Sequence, residues 1–374
     1  MGMRSAVLGA VTCTVVLVVA GTAAGFGTFK PAQTTAMSGI VYQVDVGDIN
    51  RDGLGDVAAA NGEGSDDHVE IRLARRNGSF RAPKKLIAGD DPDGVAIARL
   101  NGDKRPDVAV ANYSDNDVSV FLQRRNGSFR KAAEDLPGGP GNWQVEIADL
   151  NRDGHNDIVT INYSNAAPDD VISVHLGKKR GFKPVTSYPG GGGGLGVEIG
   201  RLNGDKRPDV VASSTDGIVS PYLTRRDGTL KVGNAVDLGS ATSFSPLALG
   251  DFTGEGKLDV VVADYDSGSL TMLRGNGKGK LAAMMVPTPA VPSVNGIASG
   301  NLNGRGGVDL AVNLLGEGKV QVLRGTGNGI LKLGPSYDLS DDPQSIAVGR
   351  VGKDRGFDIL VGTDSSLDTF INKR

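Results

Sequence analysis

The 374-residue chain predicts an all-β fold: a seven-bladed β-propeller with four-stranded antiparallel blades, in which an N-terminal strand completes the last blade. Three observations predict it: an evenly spaced acidic motif, strand-like segments between its copies, and too few strands after the last copy. The nine-residue motif recurs at offsets of 51, 50, 52, 50, 50 and 49 residues. Such a period indicates one unit repeated around a single body, because each unit buries its faces against its neighbours. The seven copies begin at Asp48, Arg99, Asp149, Arg201, Asp251, Asn301 and Arg350.

The second repeat illustrates one blade. Residues 95–100 form a short apolar run that leads into the acidic motif, and residues 107–113 also have strand character. Residues 118–122 alternate as a half-buried strand does. Asn126-Gly127 is typical of a two-residue hairpin loop in which both residues take positive φ, so a fourth strand should return from it. Four antiparallel strands in about 50 residues describe a propeller blade.

Closure of the ring is predicted by matching the two ends of the chain. The last repeat has strand-like segments near residues 345–351, 358–362 and 367–372, but no fourth. Gly27-Thr28-Phe29-Lys30-Pro31 is similar to the segment that begins the fourth strand of the first repeat, Gly78-Ser79-Phe80-Arg81. We therefore expect the residues before the first motif to form the outer strand of blade seven, which would remove two exposed sheet edges.

The N-terminus predicts a signal peptide over residues 1–24. Arg4 precedes an apolar run over residues 6–20, and small residues suited to cleavage follow at 21–24. The only cysteine, Cys13, lies inside that run, and Thr12 before it fits a lipoprotein cleavage box poorly. We expect a secreted protein without disulfides. Residues 25–374 should form a single domain, and the protein should be a monomer. An uncleaved leader that anchors the chain to a membrane is the alternative.

Composition argues against one class of partner. The net charge is −3 and the isoelectric point is near 5.7, and Lys and Arg are dispersed through every repeat. No nucleic-acid partner is therefore expected. Three basic pairs, Arg75-Arg76, Arg124-Arg125 and Arg225-Arg226, each precede a hairpin turn. We interpret them as solvated hairpin stems; a polyanion site is the alternative.

Two copies of the acidic motif predict calcium sites. Alternate positions of a tight loop carry oxygen ligands, Gly at the sixth position permits a sharp bend, and the carbonyl of the seventh residue can complete the shell. The first copy offers Asp48, Asn50, Asp52, Asp56 and the carbonyl of Leu54. The third offers Asp149, Asn151, Asp153, Asp157 and the carbonyl of His155. An empty, solvated loop is the alternative in each case.

The other five copies diverge from this ligand set. The fifth keeps oxygen atoms throughout, with a longer Glu in place of Asp, so calcium and an empty loop are both open; its candidates are Asp251, Thr253, Glu255 and Asp259. The second and fourth begin with Arg99 and Arg201, whose guanidinium groups we expect to bridge the remaining carboxylates in place of a cation. The sixth and seventh should bind no metal. We therefore expect two or three structural Ca²⁺ ions.

These aspartate-rich loops, together with the Gly-Ser-Phe and Gly-Phe-Lys-Pro segments, resemble the FG-GAP and VCBS repeat family, which includes the integrin alpha-chain N-terminal propeller. The resemblance covers residues 26–374. It implies calcium loops on one face, and a ligand face formed by the loops that join strand four to strand one and strand two to strand three. Members of the family are extracellular binding or adhesion modules, lectins, or appendages of secreted enzymes.

No catalytic motif is found, so an enzyme is not expected, although loops can still assemble a site. Three residues are candidates for contact with a ligand. Trp143 is the only tryptophan, a residue favoured at interaction hot spots, and Asn142 precedes it. Its ring could instead pack between blades. His68 is expected in a ligand-face loop beside Asp66 and Asp67.

The function predicted from these observations is an exported calcium-binding propeller that acts as an extracellular protein- or carbohydrate-binding or adhesion module. A secreted polysaccharide hydrolase or lyase that uses the ligand-face loops is one alternative. A purely structural envelope protein is another. The expected partner is an extracellular protein or glycan, and a membrane only if the leader stays uncleaved.

Overall fold

The structure is a computed structural model that describes residues 29–62, 67–163, 170–239, 246–284, 288–353 and 356–373. The predicted signal peptide, Gly27-Thr28 and Asp66 lie outside the described residues. Within them the chain forms thirty β-strands, all paired antiparallel, and no helix. It follows that no helix capable of crossing a membrane occurs in the described part of the chain. The all-β fold is confirmed.

The strands form seven sheets, one for each repeat, and each sheet is a blade. Blade 1 contains β2 (Ile40–Gly47), β3 (Asp56–Gly62), β4 (His68–Arg72) and β5 (Lys84–Ile87). Blade 2 contains β6 (Pro92–Ala98), β7 (Asp107–Asn112), β8 (Asp117–Gln123), β9 (Phe129–Lys131) and β10 (Leu136–Pro137). Blade 3 contains β11 (Asn142–Ala148), β12 (Asp157–Asn162), β13 (Asp170–His175) and β14 (Thr186–Pro189).

The remaining blades repeat this order. Blade 4 contains β15 (Gly194–Gly200), β16 (Asp209–Ser214), β17 (Ile218–Thr224), β18 (Leu230–Val232) and β19 (Val236–Asp237). Blade 5 contains β20 (Leu247–Gly250), β21 (Asp259–Asp264), β22 (Ser269–Gly275) and β23 (Leu281–Ala283). Blade 6 contains β24 (Val294–Gly300), β25 (Asp309–Leu314), β26 (Lys319–Gly325) and β27 (Leu331–Asp338). In blades 2 and 4 the outer strand is broken into two pieces that both pair with the third strand.

Blade 7 is completed by the N-terminal strand, as predicted. It contains β28 (Pro343–Gly349), β29 (Asp358–Thr363), β30 (Ser366–Phe370) and β1 (Gln33–Ala36). β1 pairs antiparallel with β30, and Lys30 N–H donates to the carbonyl of Ile371 at 2.8 Å. The first strands of all seven blades contact one another in turn, and β28 returns to β2. The ring is therefore closed and seven-bladed.

The hairpins between third and fourth strands differ from the prediction in their turn type. Arg124 N–H donates to the carbonyl of Ser128 at 2.7 Å, and Gly127 N–H donates to the carbonyl of Arg124 at 2.9 Å. Gly127 has φ 76°, whereas Asn126 is not among the residues with positive φ. The loop is thus a three-residue turn with one left-handed glycine, not a two-residue turn with two positive φ values.

The apolar core is divided among the interfaces between neighbouring blades. The second strands are buried along almost their whole length, the third strands are largely buried, and each apolar cluster joins residues of adjacent sheets, as Val69 of blade 1 joins Val95 and Val110 of blade 2. Inside the ring the first strands surround a cavity of about 320 Å³. In six of them a β-bulge lies near the first residue of the strand. A bulge re-aims the side chain it carries. Five of the six bulged residues border the cavity: Tyr42, Trp143, Leu195, Asn295 and Gln344.

Candidate functional site

The ninth residue of every acidic motif is an aspartate that ties three strands of its blade together. In each copy Oδ2 accepts a backbone N–H from the loop after the first strand, at 2.8–3.1 Å. Oδ1 accepts a backbone N–H at or beyond the end of the third strand, at 2.7–3.0 Å. The seven side chains are fully buried: Asp56, Asp107, Asp157, Asp209, Asp259, Asp309 and Asp358. Blades 2, 4, 6 and 7 form these bonds although their motifs lack the calcium ligand set, so the bonds do not depend on that set.

Burial has an electrostatic consequence for these aspartates. Loss of hydration raises the pKa of Asp56, Asp107, Asp157 and Asp309 to about 6, although the backbone N–H groups partly offset it. In the first and third copies the neighbouring carboxylates raise the pKa further. A cation bound beside them would relieve this repulsion.

The first and third motifs hold their carboxylates in the same loop conformation. The two oxygens of Asp48 accept N–H groups of Asp52 and Gly53 at 2.9 and 3.0 Å, and Asn50 Nδ2 lies 3.0 Å from Asp52 Oδ2. In the third motif Asp149 accepts from Asp153 and Gly154 at 3.0 and 2.9 Å in the same way. Gly53 and Gly154 have φ values of 85° and 88°, which explains glycine at the sixth position.

The residue types of these two loops match a calcium ion. They carry carboxylate and amide oxygens and a backbone carbonyl, the hard ligands that calcium prefers. In neither loop, both of which the structure describes, do the three carboxylates have ligand atoms that all lie within 4.8 Å of one another. Asp48, Asn50, Asp52 and Asp56, with the carbonyl of Leu54, would hold it in blade 1. Asp149, Asn151, Asp153 and Asp157, with the carbonyl of His155, would hold it in blade 3. Bound calcium would supply positive charge to converging carboxylates at a turn.

The fifth motif has the same loop conformation, but its glutamate contacts basic side chains. Asp251 accepts N–H groups of Glu255 and Gly256 at 2.9 and 2.8 Å, and Thr253 Oγ1 donates to Asp259 at 2.9 Å. The Glu255 carboxylate contacts Arg274 and lies 3.5 Å from Lys257 Nζ. These two cations would therefore compete with a calcium ion for the Glu255 carboxylate.

The second and fourth motifs carry an internal cation, but not the one predicted. Arg99 and Arg201, at the first position, are exposed. The expected bridge by these two residues is wrong. The seventh-position arginines do the bridging instead: Arg105 contacts the carboxylate of Asp103, and its Nε donates to the carbonyl of Gln123 at 2.8 Å.

Blade 4 repeats this arrangement. Arg207 contacts Asp205, and its Nε donates to the carbonyl of Thr224 at 2.9 Å. The guanidinium thus comes from the position that offers only a carbonyl in the first and third motifs. The signal in the sequence was the shared segment Asp-Lys-Arg-Pro-Asp, which both copies contain.

The central cavity brings together polar side chains of the first strands. Gln43 Oε1 accepts the N–H of Val95 at 2.9 Å, and Gln144 Oε1 accepts that of Val197 at 3.1 Å. Asp45 Oδ2 accepts the N–H of Ile97 at 2.7 Å. These bonds are needed because the inward edge of each first strand has no neighbouring strand to pair with.

Three carboxylates lie at one level of the cavity. Asp45, Glu146 and Glu198 each stand three residues before an acidic motif, where the other four repeats have alanine. Burial raises the pKa of Glu198 to about 7. Burial, and then the charges of Glu198 and Asp45, raise the pKa of Glu146 well above its usual value. Sequence reasoning missed these residues, and the contrast with alanine at the same position was the available signal.

Trp143 is the bulged residue of β11 and borders this cavity. Its ring is partly buried and lies 6.4 Å from the ring of Tyr163, and it packs against the core between blades 3 and 4. The neighbouring Asn142 is fully buried, and its Nδ2 donates to the carbonyl of Asp117 at 2.8 Å. Trp143 therefore has both a packing contact and a face on the cavity, whereas Asn142 is held within the blade interface.

Comparison with known proteins agrees with this architecture. A family model described as an FG-GAP-like repeat matches residues 48–110, 99–160 and 201–262, each match running from one acidic motif into the next repeat. The chain is an FG-GAP-repeat β-propeller. A chain in the crystal structure of BBS1N in complex with ARL6DN, soaked with mercury, has a similar fold, with a TM-score of 0.62 and 16% identity over 93% of this chain and 98% of that one. Among curated proteins, no sequence matches this chain.

His68 of this FG-GAP propeller does not lie in a loop, contrary to the prediction. It is the first residue of β4 and is 1% exposed. Its Nε2 lies 2.8 Å from Ser38 Oγ, which also contacts Glu70. Arg72 binds both Glu70 and the carbonyl of Ala36, at 2.6 Å in each case. The network joins the end of β1 to β4, so His68 helps to fix the ring closure.

Proposed function

We propose that this FG-GAP propeller is an exported binding module that takes an extracellular protein or glycan at the bulged end of its central cavity. The observation that carries the proposal is the position of Trp143, a bulged residue that borders the cavity. Tyr42, Asn295 and Gln344 occupy the equivalent position in other blades and also border it. An aromatic face beside polar groups suits a sugar ring or a protein side chain.

The test is binding to a glycan array and to extracellular protein extracts by the purified full chain. We expect Trp143→Ala to reduce capture at least tenfold, and Trp143→Phe to retain most of it because an aromatic ring remains beside Tyr163. Ile87→Ala, at an apolar residue that is 60% exposed on the outer strand of blade 1, is the control. Equal capture by wild type and Trp143→Ala would exclude this end of the cavity.

Export and calcium binding belong to the same proposal. The apolar N-terminal run supports export, and N-terminal sequencing of secreted protein should begin near residue 25. The carboxylate loops of blades 1 and 3 support two structural calcium ions. The loop of blade 5 offers a third site only if calcium displaces Arg274 and Lys257 from Glu255. Extracellular calcium sites have dissociation constants of about 10⁻⁴ to 10⁻³ M, and an exported protein is exposed to calcium at such concentrations.

A polysaccharide hydrolase is a second candidate, favoured by Glu146 and Glu198. Both line the cavity, and their pKa values are raised, as the general acid of a glycosidase requires. One would protonate the leaving oxygen while the other, ionised, assists water. Release of reducing sugar by the pure chain, abolished in Glu146→Gln and Glu198→Gln and retained in Trp143→Phe, would establish catalysis. Binding without sugar release would leave only the first proposal.

A further inference from the structure

A second recess lies on the opposite side of the propeller, between blades 1 and 2. It has a volume of about 300 Å³. The acidic loop of blade 1, the outer strand of blade 1 and the hairpin of blade 2 form its walls. We call it the basic groove; it is lined by Ile49, Asn50, Arg51, Ile71, Leu73, Lys84, Arg105, Gln123, Arg124, Arg125, Asn126, Gly127 and Phe129.

The charge of the basic groove is positive, in a protein whose net charge is negative. None of the described residues that line it is acidic. Arg105 is neutralised by Asp103, outside the lining. Among the described residues, no carboxylate forms an ion pair with the other four cations: Arg51, Lys84, Arg124 and Arg125. Four uncompensated cations around one recess favour an anionic occupant.

The floor of the basic groove is apolar. Ile71 is 1% exposed, while Leu73 and Phe129 are partly buried and pack against the core between the two blades. An occupant therefore meets a ring of cations and an aromatic and aliphatic base. A sugar that carries a sulfate, phosphate or carboxylate matches both, because its C–H face packs on apolar side chains while its anion pairs with arginine.

The equivalent space between blades 3 and 4 shows what makes the basic groove different. It also has an Arg pair, Arg225-Arg226, but Thr186 stands where blade 1 has Lys84, and Asp227 stands where blade 2 has Asn126. A Cβ on Gly228 would lie 2.6 Å from Leu176 Cδ1, so that hairpin rests on the neighbouring blade. A Cβ on Gly127 would meet nothing within 4 Å. Lys84 Nζ donates to the carbonyl of Gly127 at 3.1 Å, so the hairpin of blade 2 meets blade 1 through a cation at the edge of the recess and not through a packed leucine.

We propose that the basic groove binds a small anionic sugar, with its charged group on Arg124, Arg125, Lys84 and Arg51 and its ring on Phe129. The Arg124-Arg125 pair is then a ligand site, and not only the solvated hairpin stem expected from its sequence position. The site is separate from the cavity around Trp143, so either can fail without the other.

The experiment is a ligand-observed NMR titration of the full chain with glucose 6-sulfate, glucose 6-phosphate and glucuronate, with glucose and inorganic sulfate and phosphate as references. We expect at least one anionic sugar to bind at least fivefold more tightly than glucose and, for the sulfate and phosphate esters, than the free inorganic anion. Raising the NaCl concentration from 50 to 300 mM should weaken binding several-fold, because salt screens exposed charges. The three sugars distinguish sulfate, phosphate and carboxylate as the preferred anion.

Variants test whether the anionic sugar binds in the basic groove. Arg124→Gln with Arg125→Gln should weaken binding at least tenfold, whereas the matched pair Arg225→Gln with Arg226→Gln should change it less than twofold. Lys84→Thr with Asn126→Asp, which gives the groove the residues of its counterpart, should also weaken it at least tenfold. Equal loss in both arginine pairs, or binding no tighter than that of the inorganic ion, would overturn the proposal. Unchanged melting temperatures of the variants would show that the fold is intact.

Discussion

Asp309 Oδ1 accepts the backbone N–H of Gly325 at 3.0 Å, and its Oδ2 accepts that of Asn303 at 2.9 Å. Blade 6 has Asn301 and Arg305 where the first motif has carboxylates, yet it keeps this aspartate and both of its hydrogen bonds. The ninth residue of the motif is therefore a structural requirement of the blade, and any role in holding a metal is additional.

Removal of this aspartate should destabilise a blade that has no predicted metal site. Asp309→Ala leaves two buried N–H groups without acceptors, at a cost of roughly 1–3 kcal/mol each. We expect a lower midpoint in urea unfolding. Asp309→Asn, which keeps one acceptor oxygen, should lose less. A midpoint for Asp309→Ala equal to that of wild type would contradict this function.

Calcium should raise the melting temperature and bind at the loops of blades 1 and 3. Because binding to the folded state alone stabilises it, removal of calcium with a chelator should lower the melting temperature. Asp48→Ala combined with Asp149→Ala should reduce the number of bound ions by two, measured by titration calorimetry. Asp205→Ala, in the arginine-containing loop of blade 4, should leave that number unchanged. The same stoichiometry in wild type and the double variant would refute the assignment.

Conversion of the blade 2 loop should create a metal site. Arg99→Asp, Lys104→Gly and Arg105→Leu together restore the ligand pattern of the first motif and remove the internal guanidinium. We expect one additional calcium ion, and lower stability than wild type when calcium is absent, because Asp103 then lacks a cation. Terbium luminescence and thermal unfolding measure the two effects. If Arg105→Leu alone leaves stability unchanged, the guanidinium does not substitute for a cation.

Stability should fall as the pH rises through the range set by Glu198. Burial raises its pKa from 4.5 to about 7, so the folded state holds this proton more tightly than the unfolded chain. The resulting stabilisation is complete below about pH 4.5 and is lost as the pH approaches about 7. Glu198→Gln should therefore show a smaller fall in melting temperature between pH 5 and pH 8, and a higher melting temperature at pH 8. Glu134→Gln, at an exposed position, is the control, and parallel profiles would disprove the effect.

Closure of the ring should depend on Phe29. Its side chain is 4% exposed and meets the ring of Tyr337 edge-on, with centroids 5.7 Å apart. Phe29→Ala should cost about 3–5 kcal/mol, the usual range for a buried phenylalanine. Limited proteolysis should then cut the N-terminal segment faster than in wild type. Pro31→Ala, at an exposed position nearby, should change neither, and equal proteolysis of both variants would count against the closure.

The sequence by itself determined the number of blades, their closure by the N-terminal segment and the positions of the acidic loops. These follow from a fixed repeat period and from local turn chemistry, which act over a few residues. The local sequence did not determine which arginine of the second motif contacts its carboxylate. Arg105 reaches Asp103 because the loop folds back towards Gln123, whereas Arg99 is exposed.

Tertiary structure alone decided which distant residues share one space. Asp45, Glu146 and Glu198 meet in the central cavity, and Lys84 meets Arg124 in the basic groove, because the ring sets neighbouring blades side by side. His68 became part of the closure network for the same reason. Such contacts join residues far apart in the chain, and their pKa values and free energies depend on burial and on charges that no local pattern contains.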